Sequence, residues 1–105
     1  MKLRLENSHV CFRISREEMD ALIKDGVIKS STMGLTYSVR IDENIAAPSL
    51  SYNNNNFILT LTPQAVIEHK EALPSKEGIV EEVGLYDGSA VRVSLEVDVR
   101  SRRNK

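Results

Sequence analysis

Apolar and polar residues alternate along residues 2–6 and again along residues 9–14. Alternation with a period of two predicts two strands that each turn one face toward the interior. When the strands are paired around a turn at residues 7–8, Leu3 faces Phe12 and every apolar pair falls on the same side. The pattern therefore predicts an N-terminal hairpin with one apolar face and one polar face.

Helical spacing replaces the alternation after this hairpin. Ser15 is followed three residues later by Glu18, which is typical of a capping box at a helix start. Gly26 is the residue type that most often ends a helix in the left-handed conformation. The apolar stripe between them consists of Met19, Leu22 and Ile23. We therefore expect a helix over residues 16–25.

The rest of the chain shows the same two kinds of pattern. A second helix is expected to begin at Thr62-Pro63, because Thr caps helices and Pro suits the first helical position, and to end at Pro74. Strand patterns occupy residues 27–32, 35–42, 48–52, 57–62, 79–85 and 89–100. The chain is therefore expected to consist mainly of short strands.

Register decides between two turns in the last hairpin. A two-residue Asp-Gly loop would set Val83 against Arg92, whereas a three-residue loop at 86–88 sets Val83 against Val91. We expect the three-residue loop, since it keeps apolar residues on one face. The same register puts Glu81 on the apolar face, where it is either a buried functional carboxylate or a residue turned outward by a bulge.

The first hairpin and the helix start recur 47 positions later in the chain. The shift places an apolar residue on every apolar strand position, and it places Ser15 on Thr62. Such a fixed offset predicts a tandem β-β-α-β-β unit. We expect a single α+β domain over residues 1–105, with halves at 1–42 and 48–100 and a basic tail at 101–105. Its strands are expected to form an antiparallel sheet or barrel of about eight strands with two short helices.

Composition narrows the class of protein further. The 105 residues carry a net charge of −1, which argues against a dedicated nucleic-acid binder. The single Cys cannot form an internal disulfide, so nothing indicates an oxidising compartment. The chain has no signal peptide pattern and no apolar run long enough to span a membrane. A cytoplasmic location is therefore expected.

The opening M-K-L-R-L-x-N-S-x-x-x-F-R-I-S-x-x-E resembles a family of small bacterial cytoplasmic proteins of unknown function. The residues that carry the likeness are Lys2, Arg4, Asn7, Ser8, Arg13, Ile14, Ser15 and Glu18. A Leu-Thr-Tyr strand, Thr62-Pro63 and a late Val-Arg-Val-Ser-Leu-Glu strand extend it over most of the chain. The resemblance implies the strand order and a bacterial origin but no activity, and the basic tail departs from the acidic ends of that family.

The predicted topology is also loosely similar to that of the triphosphate-tunnel phosphatases. Those enzymes line an antiparallel barrel with alternating acidic and basic side chains, and charges alternate here in Lys2-x-Arg4-x-Glu6 and Glu96-x-Asp98-x-Arg100. The Glu-x-Glu-x-Lys signature of their first strand is missing, and the chain is short for such an enzyme. This likeness is one of fold alone, which is a weak guide to function.

Two small groups of residues are candidates for a metal site or a catalytic site. Glu6, His9 and Cys11 share the polar face of the first hairpin, but one Cys and one nearby His are too few for a tetrahedral metal site. Cys11 as a nucleophile would need a base, and His9 lies two residues away on the same strand while His69 lies on the second helix. We expect no catalytic residues, no metal and no cofactor.

Basic residues give the one remaining candidate site. Lys2, Arg4 and Arg13 fall on one face of the first hairpin. The candidate anion-binding set is Lys2, Arg4, Arg13, Arg92 and Arg100. A solvated face is the plainer interpretation, because acidic residues dilute the set and the net charge is near zero.

Two functions follow from these patterns. The leading hypothesis is a small non-enzymatic module that binds a protein partner or a second copy of itself, because no catalytic set is visible and open sheet edges must be paired or covered. The alternative is a phosphate- or nucleotide-binding barrel, with phosphohydrolase activity as one option, that uses the anion-binding set with Glu96 and Asp98. Nucleic-acid binding through the arginine tail is a third and less favoured option.

Overall fold

The computed structural model describes residues 1–71, 79–84 and 90–98. Eight strands and two helices lie within these residues. In chain order they are β1 (Lys2–Glu6), β2 (His9–Ser15), α1 (Arg16–Asp25), β3 (Val27–Thr32), β4 (Leu35–Ile41), β5 (Ser49–Asn53), β6 (Asn56–Leu61), α2 (Pro63–Glu71), β7 (Ile79–Gly84) and β8 (Ala90–Asp98). The α+β class is thereby confirmed.

The described strands form two separate four-stranded sheets. Sheet A has the order β1-β2-β8-β7, and sheet B has the order β3-β4-β6-β5. Each sheet joins two antiparallel hairpins through a parallel central pair, which is β2 with β8 in sheet A and β4 with β6 in sheet B. The expectation of a wholly antiparallel sheet was wrong, and among the described strands there is no closed barrel. Alternation along a strand is the same in both directions, so it could not reveal the parallel pairs.

Within the hairpins the predicted registers are confirmed. Leu3 pairs with Phe12 in the first hairpin, and Leu50 pairs with Leu59 in the third. Val83 pairs with Val91 in the last hairpin, as the three-residue loop requires. The residues of that loop lie outside the described part of the chain, and so does the side chain of Glu81.

Helix α1 begins and ends where its capping residues predict. The Ser15 hydroxyl accepts a hydrogen bond of 3.1 Å from the Glu18 backbone N–H, and the Glu18 carboxylate accepts one of 2.9 Å from the Ser15 N–H. Gly26 follows the helix with φ of 83°, a left-handed conformation that glycine adopts without strain. The second carboxylate oxygen of Glu18 accepts a 2.7 Å bond from the Met1 ammonium.

Helix α2 begins after Thr62, whose hydroxyl accepts a 3.2 Å hydrogen bond from the Ala65 backbone N–H. The predicted stop at Pro74 lies outside the described residues. The two helices bury equivalent positions, since a shift of 47 takes Met19 to Val66 and Leu22 to His69, and these four are the buried residues. Helix α2 therefore carries a buried histidine where α1 carries a leucine.

One hydrophobic core holds the two sheets and both helices together. Its members alternate along the central strands, for example Phe12 and Leu95 in sheet A and Val39 and Leu59 in sheet B. Met19 and Leu22 of α1 belong to the same cluster. Each sheet therefore turns its apolar face inward and leaves a second face outside. Among the described residues, neither helix has the length and apolar composition needed to cross a membrane.

Candidate functional site

The outer face of sheet A carries most of the chemically active side chains that the sequence singled out. Its register brings β1, β2 and β8 side by side with their polar residues outward. We call this surface the charged face, and define it as Lys2, Arg4, Glu6, His9, Cys11, Arg13, Arg92, Ser94, Glu96 and Asp98. It is built from alternate residues of three strands whose other residues face the core, apart from the exposed Leu5.

Four of the five predicted anion-binding residues lie on this face, namely Lys2, Arg4, Arg13 and Arg92. Arg100 lies outside the described residues. Arg4 Nε is 3.7 Å from Glu6 Oε2, and Arg13 has a nitrogen 3.8 Å from Asp98 Oδ2. Both contacts are long and partly exposed, so each contributes little to stability.

Other basic groups of the charged face lack ion-pair or hydrogen-bond partners among the described side chains. Lys2 and Arg92 are exposed and make no ion pair with any described side chain. The register places Glu82 opposite Arg92, but the side chain of Glu82 lies outside the described part of the chain. The Nε of Arg13 is buried and has no hydrogen-bond partner among the described residues. Lys2 and Arg92 are therefore exposed to an anionic group placed above the sheet, whereas the Nε of Arg13 is covered.

A trio of polar side chains crosses the middle of the charged face. His9 Nε2 lies 3.0 Å from the Ser94 hydroxyl oxygen, and His9 Nδ1 lies 3.5 Å from Glu6 Oε1. A carboxylate beside Nδ1 favours the tautomer with its proton there, in which Nε2 accepts a hydrogen bond from the Ser94 hydroxyl. The trio therefore fixes the orientation of the imidazole on the sheet.

This serine, histidine and carboxylate have the order of a catalytic triad but lack its other requirements. Ser94 is only 3% exposed, so its hydroxyl is not presented to a substrate. It lies on a central strand that is paired on both sides, so the nearby backbone N–H groups that would stabilise an oxyanion are used within the sheet. The arrangement is better suited to hold His9 than to perform acyl transfer.

Cys11 lies beside Ser94 and is buried within the same sheet. Burial raises the pKa of its thiol, and the charge of Glu96 adds to this shift, while a hydrogen bond with Ser94 opposes it. A raised pKa keeps the side chain as a thiol, which is a poor nucleophile and metal ligand. In the described residues no cluster of three or more His, Cys, Asp or Glu is arranged to hold a metal ion.

The second histidine lies far from this chemistry in the chain and is buried. His69 is 6% exposed, and its Nε2 has no hydrogen-bond partner among the described residues. Burial lowers the pKa of the imidazole, so it remains neutral at physiological pH. The sequence predicts His69 on the second helix, and the structure shows that its side chain is buried there.

The outer face of sheet B provides a contrast. Its outward positions on β4, β5 and β6 carry mainly hydroxyl and amide side chains, and Lys29 and Arg40 are its charged residues on β3 and β4. A groove of about 470 Å³ follows part of this face. A second groove of about 480 Å³ lies between the end of α1 and the start of α2, with Ile23 and Ile67 on its walls. Neither groove includes residues of the charged face.

Ser94 is the site residue that sequence reasoning missed. The first hairpin alone placed Arg4, Glu6, His9 and Cys11 on one face, because a hairpin register is local. Ser94 joins them through the parallel pairing of β2 with β8, which links residues 85 positions apart. The alternation of Arg92, Ser94 and Glu96 was the one available signal for an outward serine.

The chain belongs to a family of unknown function, DUF7009, whose family model matches residues 1–104. This agrees with the family resemblance that the opening residues indicate. No curated protein and no solved structure was found to match the chain. The family therefore establishes kinship and leaves the activity to be inferred from the molecule.

Proposed function

We propose that this member of a family of unknown function is a non-enzymatic module that binds an acidic surface of another protein through the charged face. The observation that carries the proposal is the pair of exposed cations, Lys2 and Arg92, neither of which makes an ion pair with a described side chain. Complementary charge across an interface supplies specificity and speeds association.

The shape of the charged face favours a protein over a small molecule. Pockets for small ligands are concave and cover most of the ligand surface. The charged face is the outer surface of an open sheet, and its central polar groups, Cys11 and Ser94, are nearly covered by their neighbours. A protein with a broad, nearly flat surface makes more contacts with such a face than a phosphate does.

The chemistry of the face also supports a binding role rather than a catalytic one. Cys11 remains a thiol because burial raises its pKa, and Ser94 is not accessible. His9 is held at both ring nitrogens by Glu6 and Ser94, so it presents a rigid imidazole ring at the surface. Rigid polar groups lose little entropy when a partner docks.

A tandem origin of the two halves fits the same proposal. Sheet A combines the first hairpin of one half with the second hairpin of the other, and sheet B is built in the same manner. The buried positions of the two helices correspond at the 47-residue offset. We take the duplicated unit, and a cytoplasmic setting, as parts of the proposal. A duplicated scaffold would have kept its core and changed one outer face for binding.

The test uses two charge-reversal pairs that change the net charge equally. Lys2→Glu with Arg92→Glu alters the charged face, and Lys29→Glu with Arg40→Glu alters the outer face of sheet B. Isotope-labelled protein is titrated with an oligoglutamate peptide and followed by NMR. Shifts should map to the charged face, disappear in the first variant and persist in the second. Loss of binding in both variants, or shifts centred on sheet B, would overturn the proposal.

An anion-binding function is the second candidate, because the same two exposed cations would also donate hydrogen bonds to phosphate oxygens. Thermal unfolding with tripolyphosphate, nucleotides and divalent metals separates the two functions. A ligand that binds the native state must raise its stability. Stabilisation by tripolyphosphate that depends on Lys2 and Arg92, with no response to the acidic peptide, would favour the anion-binding function.

A further inference from the structure

The four edge strands of the described sheets differ sharply in charge. The edges are β1 and β7 in sheet A and β3 and β5 in sheet B. Strand β1 carries Lys2, Arg4 and Glu6, β3 carries Lys29, and the sequence of β7 contains two glutamates. Strand β5 reads Ser-Leu-Ser-Tyr-Asn and has no charge and no proline. Charges and prolines are the usual devices that prevent edge pairing, and β5 has neither.

Most residues of β5 are also exposed. Four of its five residues are exposed, and Tyr52 is 53% exposed. The β5–β6 turn has positive φ at Asn54 and Asn55, as in a two-residue type I′ hairpin. Asn53 and Asn56 then form the hydrogen-bonded pair next to the turn, and the alternation of an antiparallel ladder directs the backbone groups of Leu50 and Tyr52 away from β6.

From these observations we propose that β5 pairs antiparallel with β5 of a second copy of the chain, joining two B sheets into one. The two-fold axis passes through Ser51, so that Leu50 lies opposite Tyr52 of the second copy and Ser51 lies opposite itself. Leu50 and Tyr52 then exchange both backbone hydrogen bonds with their counterparts. This inference concerns another surface and is independent of the charged face.

Self-pairing suits β5 better than the other edges. The same two-fold arrangement on β1 would set Arg4 directly against its own copy, and like charges in that position destabilise a strand pair. On β5 the opposing residues are serine with serine and leucine with tyrosine, which are compatible pairs. Tyr52 is already held by Phe57, with ring centroids 4.5 Å apart, so it meets the second copy in a fixed position.

The interface is short, so the dimer should be weak. Five-residue strands bury far less surface than the roughly 1,200 Å² of a standard interface. We expect a monomer–dimer equilibrium that sedimentation detects at high micromolar to millimolar concentration. Amide hydrogen exchange supplies the specific readout. Exchange at Leu50 and Tyr52 should slow as concentration rises, whereas exchange at Lys29 and Ser31 of edge strand β3 should not change.

Charge substitutions at the axis provide the decisive variants. Ser51→Lys places two ammonium groups face to face and should weaken the dimer by at least about tenfold. Ser31→Lys is the matched control on β3, since Ser31 is also an exposed serine on an edge of sheet B, and it should leave the dimer unchanged. A mixture of Ser51→Lys and Ser51→Glu chains should restore association as a heterodimer.

Each outcome is decisive for β5 and leaves the charged face untouched. The inference is wrong if exchange at Leu50 and Tyr52 is independent of concentration up to the millimolar range. It is also wrong if Ser51→Lys dimerises as well as the native chain, or if protection appears on another edge. Lys2→Glu with Arg92→Glu should not affect the dimer, so failure of the proposed partner-binding function is distinguishable from failure here.

Discussion

The two sheets share a strand order and a core but present different outer surfaces. Both place a parallel pair at the centre and turn large apolar side chains inward. Outside, sheet A exposes the charged face, whereas sheet B exposes mainly hydroxyl and amide groups. Helix α1 follows β2 of sheet A, and α2 follows β6 of sheet B. The comparison indicates that packing requirements set the inner positions alike, while the outer positions were free to acquire separate roles.

The largest expected effect tests whether the inner faces are equivalent. Leu95 of sheet A and Leu59 of sheet B are both at most 2% exposed. Leu95→Ala and Leu59→Ala should each lower the free energy of unfolding by about 2–5 kcal/mol, because each removes buried methyl groups and leaves a cavity. Urea denaturation measures both variants. A loss below about 1 kcal/mol for one of them would show that the sheets do not share the core equally.

Local patterns in the sequence were sufficient to predict much of this comparison. The registers of Leu3 with Phe12 and Leu50 with Leu59 follow from hairpins whose strands are neighbours in the chain. The limits of α1 follow from Ser15 and Gly26, which satisfy the backbone groups at its ends. In each case the interacting groups are close in sequence, so the number of alternatives is small.

Contacts between distant segments could not be predicted in the same way. Alternation along β2 and β8 shows which residues face inward, but it does not show that the two strands are parallel neighbours. The contact of His9 with Ser94 depends on that pairing, so this contact could not be predicted from the sequence. The burial of His69 could not be predicted for a related reason, because it depends on how α2 meets the core.

The second-largest expected effect concerns the helices. His69 of α2 occupies the position that corresponds to Leu22 of α1. His69→Leu should make α2 resemble α1 and raise stability by about 1 kcal/mol, because a buried acceptor without a partner is removed. Burial lowers the pKa of His69 below 6.5, so the unfolded chain binds a proton first as pH falls. Native stability should therefore decline with decreasing pH below about 6.5, and this decline should be reduced in His69→Leu.

The control for this effect is the other histidine. His9→Gln removes an imidazole from the charged face and should keep the decline that His69 causes. Thermal unfolding between pH 7 and pH 5 compares the three proteins at roughly unit intervals of pH. If His9→Gln removed the decline and His69→Leu kept it, the assignment of the two histidines would have to be exchanged.

The smallest effect compares the two helix starts. Ser15→Ala removes the hydroxyl bond of a capping box and leaves only the bond from the backbone N–H of residue 15 to Glu18, whereas Thr62→Ala removes the single bond to the Ala65 N–H. We expect Ser15→Ala to cost about 1 kcal/mol and Thr62→Ala to cost less. Ser31→Ala on β3, which makes no capping bond, serves as the control and should change stability by less than about 0.5 kcal/mol.

The pH dependence of unfolding provides a second comparison of the two helix starts. Burial alone would raise the pKa of Glu18, but hydrogen bonds from the Met1 ammonium and from Ser15 outweigh it, so the pKa is lowered below 4.5. A carboxylate with a lowered pKa stabilises the fold above its unfolded pKa and loses this effect as pH falls through the folded value. Glu18→Gln should therefore reduce the acid sensitivity of unfolding between about pH 5 and pH 3. Thr62→Ala leaves that sensitivity intact, because the start of α2 has no acidic residue in its first turn. Equal acid profiles for native protein and Glu18→Gln would mean that the capping box contributes through neutral hydrogen bonds alone.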